Sequence, residues 1–549
     1  MGKDRRQATL KPPRTAPRKA SRAAPAKPAR QRARTNLTLE SFIRLDRSAV
    51  IFLIFMVCLV NWTIRVIIAP VYTFEEADQL LMSQALHFGY EARQPPMLAW
   101  IYALVTKAFG VSTPVVFGIK YTLLWVAFTF YYLSARNVLV KPGVSAAAVG
   151  AWALTFYVGW GVHEDLLGAV ALMACLSLTL HALTRILAWR RSRDWTYLGM
   201  TIGVGLLTHH LYIVFPIAMI VSIFMSPFFK DAVKPTRLII ALAIAGAMYA
   251  PYVIWLIAHF DRIAVVAREF AASYEIDSGW LSRVGQGGFS LARGLFEFTL
   301  PLSLFWATLF WTMWLPVLYP IFARRSTDEE AHEEAFRRLF ASAMVIAAAI
   351  YLIGVGIGVQ VYKGWWMLPV LYTMPLWMFS HVKRAGDFPV AIRAFAAVAA
   401  VFILVVLAGR FVVWRMDIDA CDEGGCRPYS PVAAWAEQLK KSGFGEGTIV
   451  GAEKHLTGNL RGQLPRARVL DASLALVAFP APTTHGACLA VWRDNPVMPE
   501  ELFDYLSRQL DAPPRDRGPE GAIRRHLLLS GDKAQVLYYQ FVSPSKSCR

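Results

Sequence analysis

Three acids, Glu75, Glu76 and Asp78, stand in the stretch YTFEEADQLL just beyond the first long apolar run. Carboxylates gathered at the edge of an apolar run are costly and mark a candidate site. A carboxylate there can take the proton from an acceptor hydroxyl in a group transfer. The same acids also suit the first turn of a helix, where the positive end of the helix dipole favours them. Further on, Arg93 and Gln94 precede Pro95-Pro96, a pair that ends one segment and fixes the approach of the next. A second polar cluster, His163, Glu164 and Asp165, interrupts apolar sequence in GVHEDLLGAVALM, where Asp165 reads either as a functional acid or as a helix cap. His209-His210 in GLLTHHLYIVFP and Lys363 in KGWWMLP also lie between apolar runs. Histidines beside carboxylates can hold a divalent metal, which makes His163, His209 and His210 the candidate ligands; against this, adjacent residues on a helix point about 100° apart. The segment FDRIAVVAREFAASYEIDSGWLSRVGQGGFSLARG carries Arg262, Arg268, Arg283 and Arg293. These can form bidentate contacts to phosphate or, in the plainer reading, meet lipid headgroups from an interfacial helix.

The elements that must position these residues are membrane helices. Of the 549 residues 56% are hydrophobic and only 17% charged, whereas a soluble domain carries about 25% charge. Apolar runs recur around 49–68, 113–133, 144–160, 166–183, 197–207, 211–228, 238–259, 298–322, 341–358, 366–379 and 395–413. Most approach the roughly 20 residues needed to cross a bilayer, which predicts about eleven spans. The net charge of +19 sits in a Pro/Ala/Arg-rich tail over 1–46 and in short loops, a topology signal that gives no reason to invoke nucleic acid. The tail has too few apolar residues to fold and is expected to be a disordered, cytoplasmic extension. Lys/Arg bias then places the C-terminus in the periplasm and sends the connections 69–112, 161–165, 208–210, 260–297 and 359–365 to that side. The apolar stretch 96–110 would invert this pattern as a span, so it is expected to be an interfacial helix. After Val413 the sequence turns mixed, with a helix pattern over 432–441 and strand patterns over 448–451, 489–492 and 535–542, predicting a small α/β periplasmic domain. The division is therefore 1–46 tail, 47–413 transmembrane domain, 414–549 α/β domain. Cys421 and Cys426 form a close pair expected to bond in an oxidising compartment, while Cys58 and Cys175 lie inside spans as packing thiols.

The acidic pair after the first span, then S-Q, G-Y and P-P, resembles the first loop of the polyprenyl-phosphate-dependent glycosyltransferases of the GT-C class, which include protein mannosyltransferases and lipid A aminoarabinose transferases. The likeness runs in layout over 49–413. It implies an α-helical polytopic fold, a polyprenyl-phosphate sugar donor, a glycolipid acceptor in the bacterial inner membrane, and catalysis by the first loop acid. That position is Glu75 here, in place of aspartate, followed by Glu76. The family's lysine before P-P is Gln94, which leaves Arg93 as the neighbouring cation. GVHEDLLGAVALM resembles the second periplasmic turn, with Asp165 as its acid. His209 stands at the lysine of G-L-x-x-K, and Lys363 falls in the late motif before a span. The resemblance thus nominates Glu75, Glu76 and Asp165 for catalysis and Arg93, Gln94, His209, Arg268 and Lys363 for the donor phosphate. The form E-E-A-D-Q … S-Q … G-Y … Q-P-P looks somewhat closer to the lipopolysaccharide galacturonosyltransferases than to the aminoarabinose enzymes, pointing to galacturonic acid, with aminoarabinose as the other sugar and lipid A or core as acceptor. A transporter or flippase of lipid-linked sugar is the rival class; it would place charges inside spans, where only Arg65 and Lys120 stand out, and would show repeated halves. A scaffold with a periplasmic interaction domain leaves the acids unexplained. The absence of a Walker motif argues against an ATP-driven pump.

Overall fold

A computed structural model describes residues 47–549 except 69, 92–93, 140, 262–278, 319–327, 382–388, 421–426, 475–476, 478, 480–485, 529 and 531. The tail expected over 1–46, Arg93, Arg268 and the Cys421–Cys426 pair lie outside the described residues.

Among the described residues the apolar runs lie on helices and the turns that join them. In chain order these are α1 (Arg47–Ile68), α2 (Phe74–Met82), α3 (Met97–Phe109), α4 (Thr113–Val138), α5 (Pro142–Gly150), α6 (Leu167–Trp189), α7 (Arg193–Leu206), α8 (Val214–Met225), α9 (Pro235–Ala258), α10 (Trp280–Leu318), α11 (Asp328–Gly356) and α12 (Pro389–Ala420). Proline in the first turn opens α4, α5 and α9, where its missing N–H is not needed. Among the described residues six helices are long and apolar enough to cross a membrane, and a seventh if Pro142–Leu154 and Tyr157–Glu164, bent by 78°, form one span. The chain is a multi-pass membrane protein. The sequence run 366–379 is split into short helical pieces between Gly364 and Phe379, and α7 and α8 have 14 and 12 residues, so the about eleven apolar runs correspond to fewer full-length helices. The stretch 96–110 is the 13-residue α3.

Helix α6 is the hub: 94% of its apolar window is buried, against 17% for α9 and 22% for α1. Outward-facing Leu53, Ile67, Ile254, Val345 and Leu404 are more than half exposed, as suits helices bathed in lipid.

Helix α12 runs on through Val413 to Ala420, and the chain then folds into α13 (Val432–Lys441), β1 (Gly447–Gly451), α14 (Lys454–Gln463), β2 (Arg468–Asp471), β3 (Ala487–Arg493), β4 (Gly521–His526) and β5 (Ala534–Val542). The sheet order is β2-β1-β3-β5-β4, with β1 parallel to β2 and β3 and with β5 antiparallel to β3 and β4. A disulfide joins Cys488 on β3 to Cys548; Cys58 and Cys175 are free and buried. This domain shares its core with the first loop: Leu81, Met82, Tyr90 and Ala99 pack with Trp435, Leu456 and Leu460.

Candidate active site

Helix α2 carries the acidic cluster. Thr73 is its N-cap and closes a capping box: Glu76 N donates to Thr73 Oγ1 at 3.4 Å, and Thr73 N donates to Glu76 Oε2 at 3.0 Å. Glu76 is fully buried, 3.5 Å from Arg65 Nη2 of α1 and 3.7 Å from Lys120 Nζ of α4. The two charges within apolar runs are thus internal partners of one carboxylate.

Glu75, one residue earlier, turns about 100° away. Its Oε2 accepts a hydrogen bond of 2.7 Å from Gly168 N in the first turn of α6. A side chain at Gly168 would meet both this oxygen and the His209 ring, so the two groups crowd over the same backbone position. The His209 ring meets Trp365 edge-on at 5.4 Å, two residues beyond the exposed Lys363. Burial, with a smaller push from His210, lowers the His209 imidazole to about 4, and its Nδ1 accepts from Leu211 N at 3.1 Å. Gln79, one turn after Glu75, donates from Nε2 to Gln94 Oε1 at 2.8 Å. Glu75 and His209 therefore share one neighbourhood, and Gln94 reaches the same helix through Gln79, whereas Lys363 is tied to it only by its place two residues before Trp365.

Asp165 stands three residues before Gly168, and Lys120 feels its charge together with those of Glu76 and Glu75. Asp165 itself sits in an irregular turn before α6, followed by Leu166 at φ 57, a left-handed conformation that costs a branched residue about 1–2 kcal/mol. Burial raises its carboxyl above the usual range, while Lys120 and a Thr73 hydrogen bond pull the other way. Glu164 and Asp165 line a cavity of about 430 Å³ with Arg65, Arg410, Arg427, His163 and His455. Burial, reinforced by Arg493 and Arg427, lowers the His455 imidazole to about 3.

The proposed metal ligands do not converge. His163 stacks on Tyr121, His209 packs on Trp365 and His210 on Tyr252; among the described residues no three His, Cys, Asp or Glu side chains form a metal-sized group. Each imidazole is instead held by an aromatic partner. Of the arginines expected to close over a donor, Arg293 pairs with Glu297 at 2.6 Å, which also accepts from Tyr157 Oη at 2.7 Å. The sequence reading missed Arg410, Arg427, His455 and the pairing of Arg65 and Lys120. A charge inside an apolar span was the available signal for Arg65, Lys120 and Arg410.

The family model of dolichyl-phosphate-mannose-protein mannosyltransferases matches residues 93–255, a stretch that includes Asp165 and His209 but begins after Glu75. Lipopolysaccharide core galacturonosyltransferase RgtA of Rhizobium johnstonii is 24% identical over 466 residues, 81% of this chain and 88% of the relative. RgtB of the same organism, with the same description, is 26% identical over 444 residues, 79% of this chain and 86% of the relative. The crystal structure of ArnT from Cupriavidus metallidurans bound to undecaprenyl phosphate superposes with a TM-score of 0.52 at 13% identity, covering 89% of this chain and 97% of that one. The chain resembles the GT-C glycosyltransferases in sequence and in fold.

In this chain the carboxylates and cations gather where the apolar helices meet the α/β domain. Helix α14 holds α2 at both ends with help from β2. Tyr72 N donates to Asn459 Oδ1 at 2.8 Å and Asn459 Nδ2 donates to Tyr72 O at 3.1 Å. Beyond the helix, Gln84 Nε2 donates to Val469 O at 2.7 Å and Val469 N donates to Gln84 Oε1 at 2.9 Å. Lys454 lies 3.3 Å from Asp78 and also pairs with Glu91; burial disfavours its ammonium, but the two acids outweigh that and raise its pKa. Asp78, three residues after Glu75 and on the same side of the helix, is thus an interface residue.

Proposed function

We propose that the enzyme transfers a sugar from a polyprenyl-phosphate donor to a lipopolysaccharide core or lipid A acceptor at the periplasmic face of the inner membrane, in one inverting displacement. The observation that carries this reading is Glu75, held on the amide of Gly168 beside His209. The Glu75 carboxylate takes the acceptor hydroxyl proton as that oxygen attacks the anomeric carbon; the bond from this carbon to the phosphate oxygen breaks, and the polyprenyl phosphate leaves with the electron pair. Cations stabilise the departing phosphate. Lys363 and Gln94 are the described candidates on this side, with Arg93 and Arg268 as sequence candidates; His209, neutral at physiological pH, contributes as a hydrogen-bonding group. A phosphate monoester leaves without needing a strong acid, so none is assigned. Asp165 faces the cavity and serves as an acceptor-side group, and Glu76 as the anchor of α2. A divalent metal is not required for these roles.

The names of the curated relatives support galacturonic acid as the sugar and core as the acceptor. The test is transfer by the purified full chain from polyprenyl-phosphate-linked galacturonic acid to deep-rough lipopolysaccharide, followed by the mass increment on the acceptor. No increment with this donor or with the aminoarabinose donor, from folded protein, overturns the reading.

A further inference from the structure

A second feature extends the cavity into the helix bundle. An apolar cleft of about 180 Å³ lies between α1, the bent α5 region and α12, lined by Ile54, Val57, Ala153, Ile403, Val406 and Leu407 among others. Leu53 lines it while being half exposed, so the cleft opens on the outer surface of the bundle. Its other end meets the basic cavity: His163 lines both spaces. Asn61 of the cleft accepts a 3.0 Å hydrogen bond from Arg410 Nη1 of the cavity.

An apolar slot open to the bilayer, ending at the buried guanidinium groups of Arg65 and Arg410 with the half-exposed Arg427, paired to Glu453, beyond them, is complementary to a lipid with an anionic head. The chain lies among the aliphatic side chains, and the head meets Arg65, Arg410 and Arg427 in paired hydrogen bonds. The cavity has unfilled hydrogen-bonding capacity. His455 Nδ1 and Asp165 Oδ1 are buried without hydrogen-bond partners among the described residues, and both residues line the space. Such groups are costly unless something bonds to them, and sugar hydroxyls are suited to both.

We infer that this cleft and cavity form the binding site for the acceptor, a membrane glycolipid whose sugar bears a phosphate or carboxylate. The choice of acceptor over donor rests on the proposed function, which assigns the donor phosphate to Gln94, His209 and Lys363. The α/β domain takes part directly, through Arg427 and His455.

The experiment is direct binding of deep-rough lipopolysaccharide to the detergent-solubilised full chain, with no turnover needed. The same lipid, dephosphorylated and with its carboxylates reduced, is the neutral comparator, and undecaprenyl phosphate is the competitor. The intact lipid should bind about 10-fold more tightly than the neutral one, as for loss of a charge-assisted pair. Arg410→Gln and Ala153→Phe should each weaken it about 10-fold. Arg427, with a half-exposed side chain, can be changed to Gln without touching the core, and should weaken binding even if Arg410→Gln fails to fold. Undecaprenyl phosphate should not compete. Competition by it, or affinity unchanged in Ala153→Phe and Arg427→Gln, overturns the inference. Binding as expected with no sugar transfer leaves this site standing and removes the proposed function; transfer with an acceptor KM indifferent to these variants does the reverse.

Discussion

The two faces of α2 hold neighbouring glutamates in opposite circumstances. Glu76 is sealed in the protein, shared between a cap and the cations Arg65 and Lys120. Glu75 is only partly buried and accepts from the Gly168 amide beside the His209 ring. An incoming hydroxyl would have to displace Arg65 and Lys120 from contact with Glu76, whereas Glu75 is reached from the side of Gly168. The difference teaches that a repeated acid need not mean a repeated role: one carboxylate fixes the helix so that the next is aimed.

The largest effect that could break this comparison is on activity. Glu75→Gln keeps the shape and the acceptor for Gly168 N but cannot take a proton, so transfer should slow by about 10²–10⁴-fold with protein yield unchanged. Full transfer by well-expressed Glu75→Gln would move the base to Asp165, for which Asp165→Asn is the matched variant.

Glu76→Gln should fail in the other way. It leaves Arg65 and Lys120 buried without their carboxylate, a change that costs about 3–5 kcal/mol in comparable buried pairs. Lower yield and a lower melting temperature in detergent should precede any change in kinetics. A stable Glu76→Gln enzyme with a specific loss of kcat would reverse the two assignments.

The third comparison lies between α2 and the domain that grips it. Asn459→Ala strips both bonds from the Tyr72 backbone, leaving a buried N–H and C=O unpaired, at about 2–3 kcal/mol. Asn459→Ala should speed hydrogen exchange at the start of α2 and lower kcat more than it raises the acceptor KM. Unchanged exchange at Tyr72 would show that the domain does not hold the helix.

The helices, the acids and four stretches of the α/β domain were legible in sequence because hydropathy period and charge are local properties. Helix α13 and strands β1, β3 and β5 fall within a few residues of their patterns. Helix α14, KHLTGNLRGQ, was not legible, since part of its packing surface is made by Gly458 and Gly462 against Ala77 and Tyr72, which no hydropathy pattern reports. Strand β4 is an edge strand with only Ile523 buried, so it reads as a polar loop. The partners of Glu76 come from two other helices, and the Cys488–Cys548 bond spans 60 residues, distances over which spacing carries no information. The carboxylate pair itself announced a site, but only its surroundings separate the two members.

The smallest expected effect, and the one that most sharpens the contrast, is a pH dependence at the domain side of the cavity. His455 is buried, and burial with Arg493 and Arg427 nearby lowers its pKa to about 3, whereas an unfolded histidine titrates near 6.5. A depressed histidine favours the neutral form in the folded state. Its contribution is therefore fully present above about pH 6.5 and is lost progressively as pH falls toward about 3, where the unfolded chain binds a proton that the folded one refuses. At pH 5 the loss amounts to about 2 kcal/mol. Thermal unfolding of the full chain should weaken between pH 7 and pH 5, and His455→Gln should flatten that slope while leaving stability at pH 7 within about 1 kcal/mol, because glutamine retains a side-chain hydrogen-bonding group. His209, lowered to about 4, contributes in the same direction, so the slope left in His455→Gln should shrink further when His209 is also replaced. A slope unchanged in His455→Gln would mean that the imidazole is already charged or solvated in the folded enzyme, and that the cavity under the α/β domain is wetter and more open than its packing indicates.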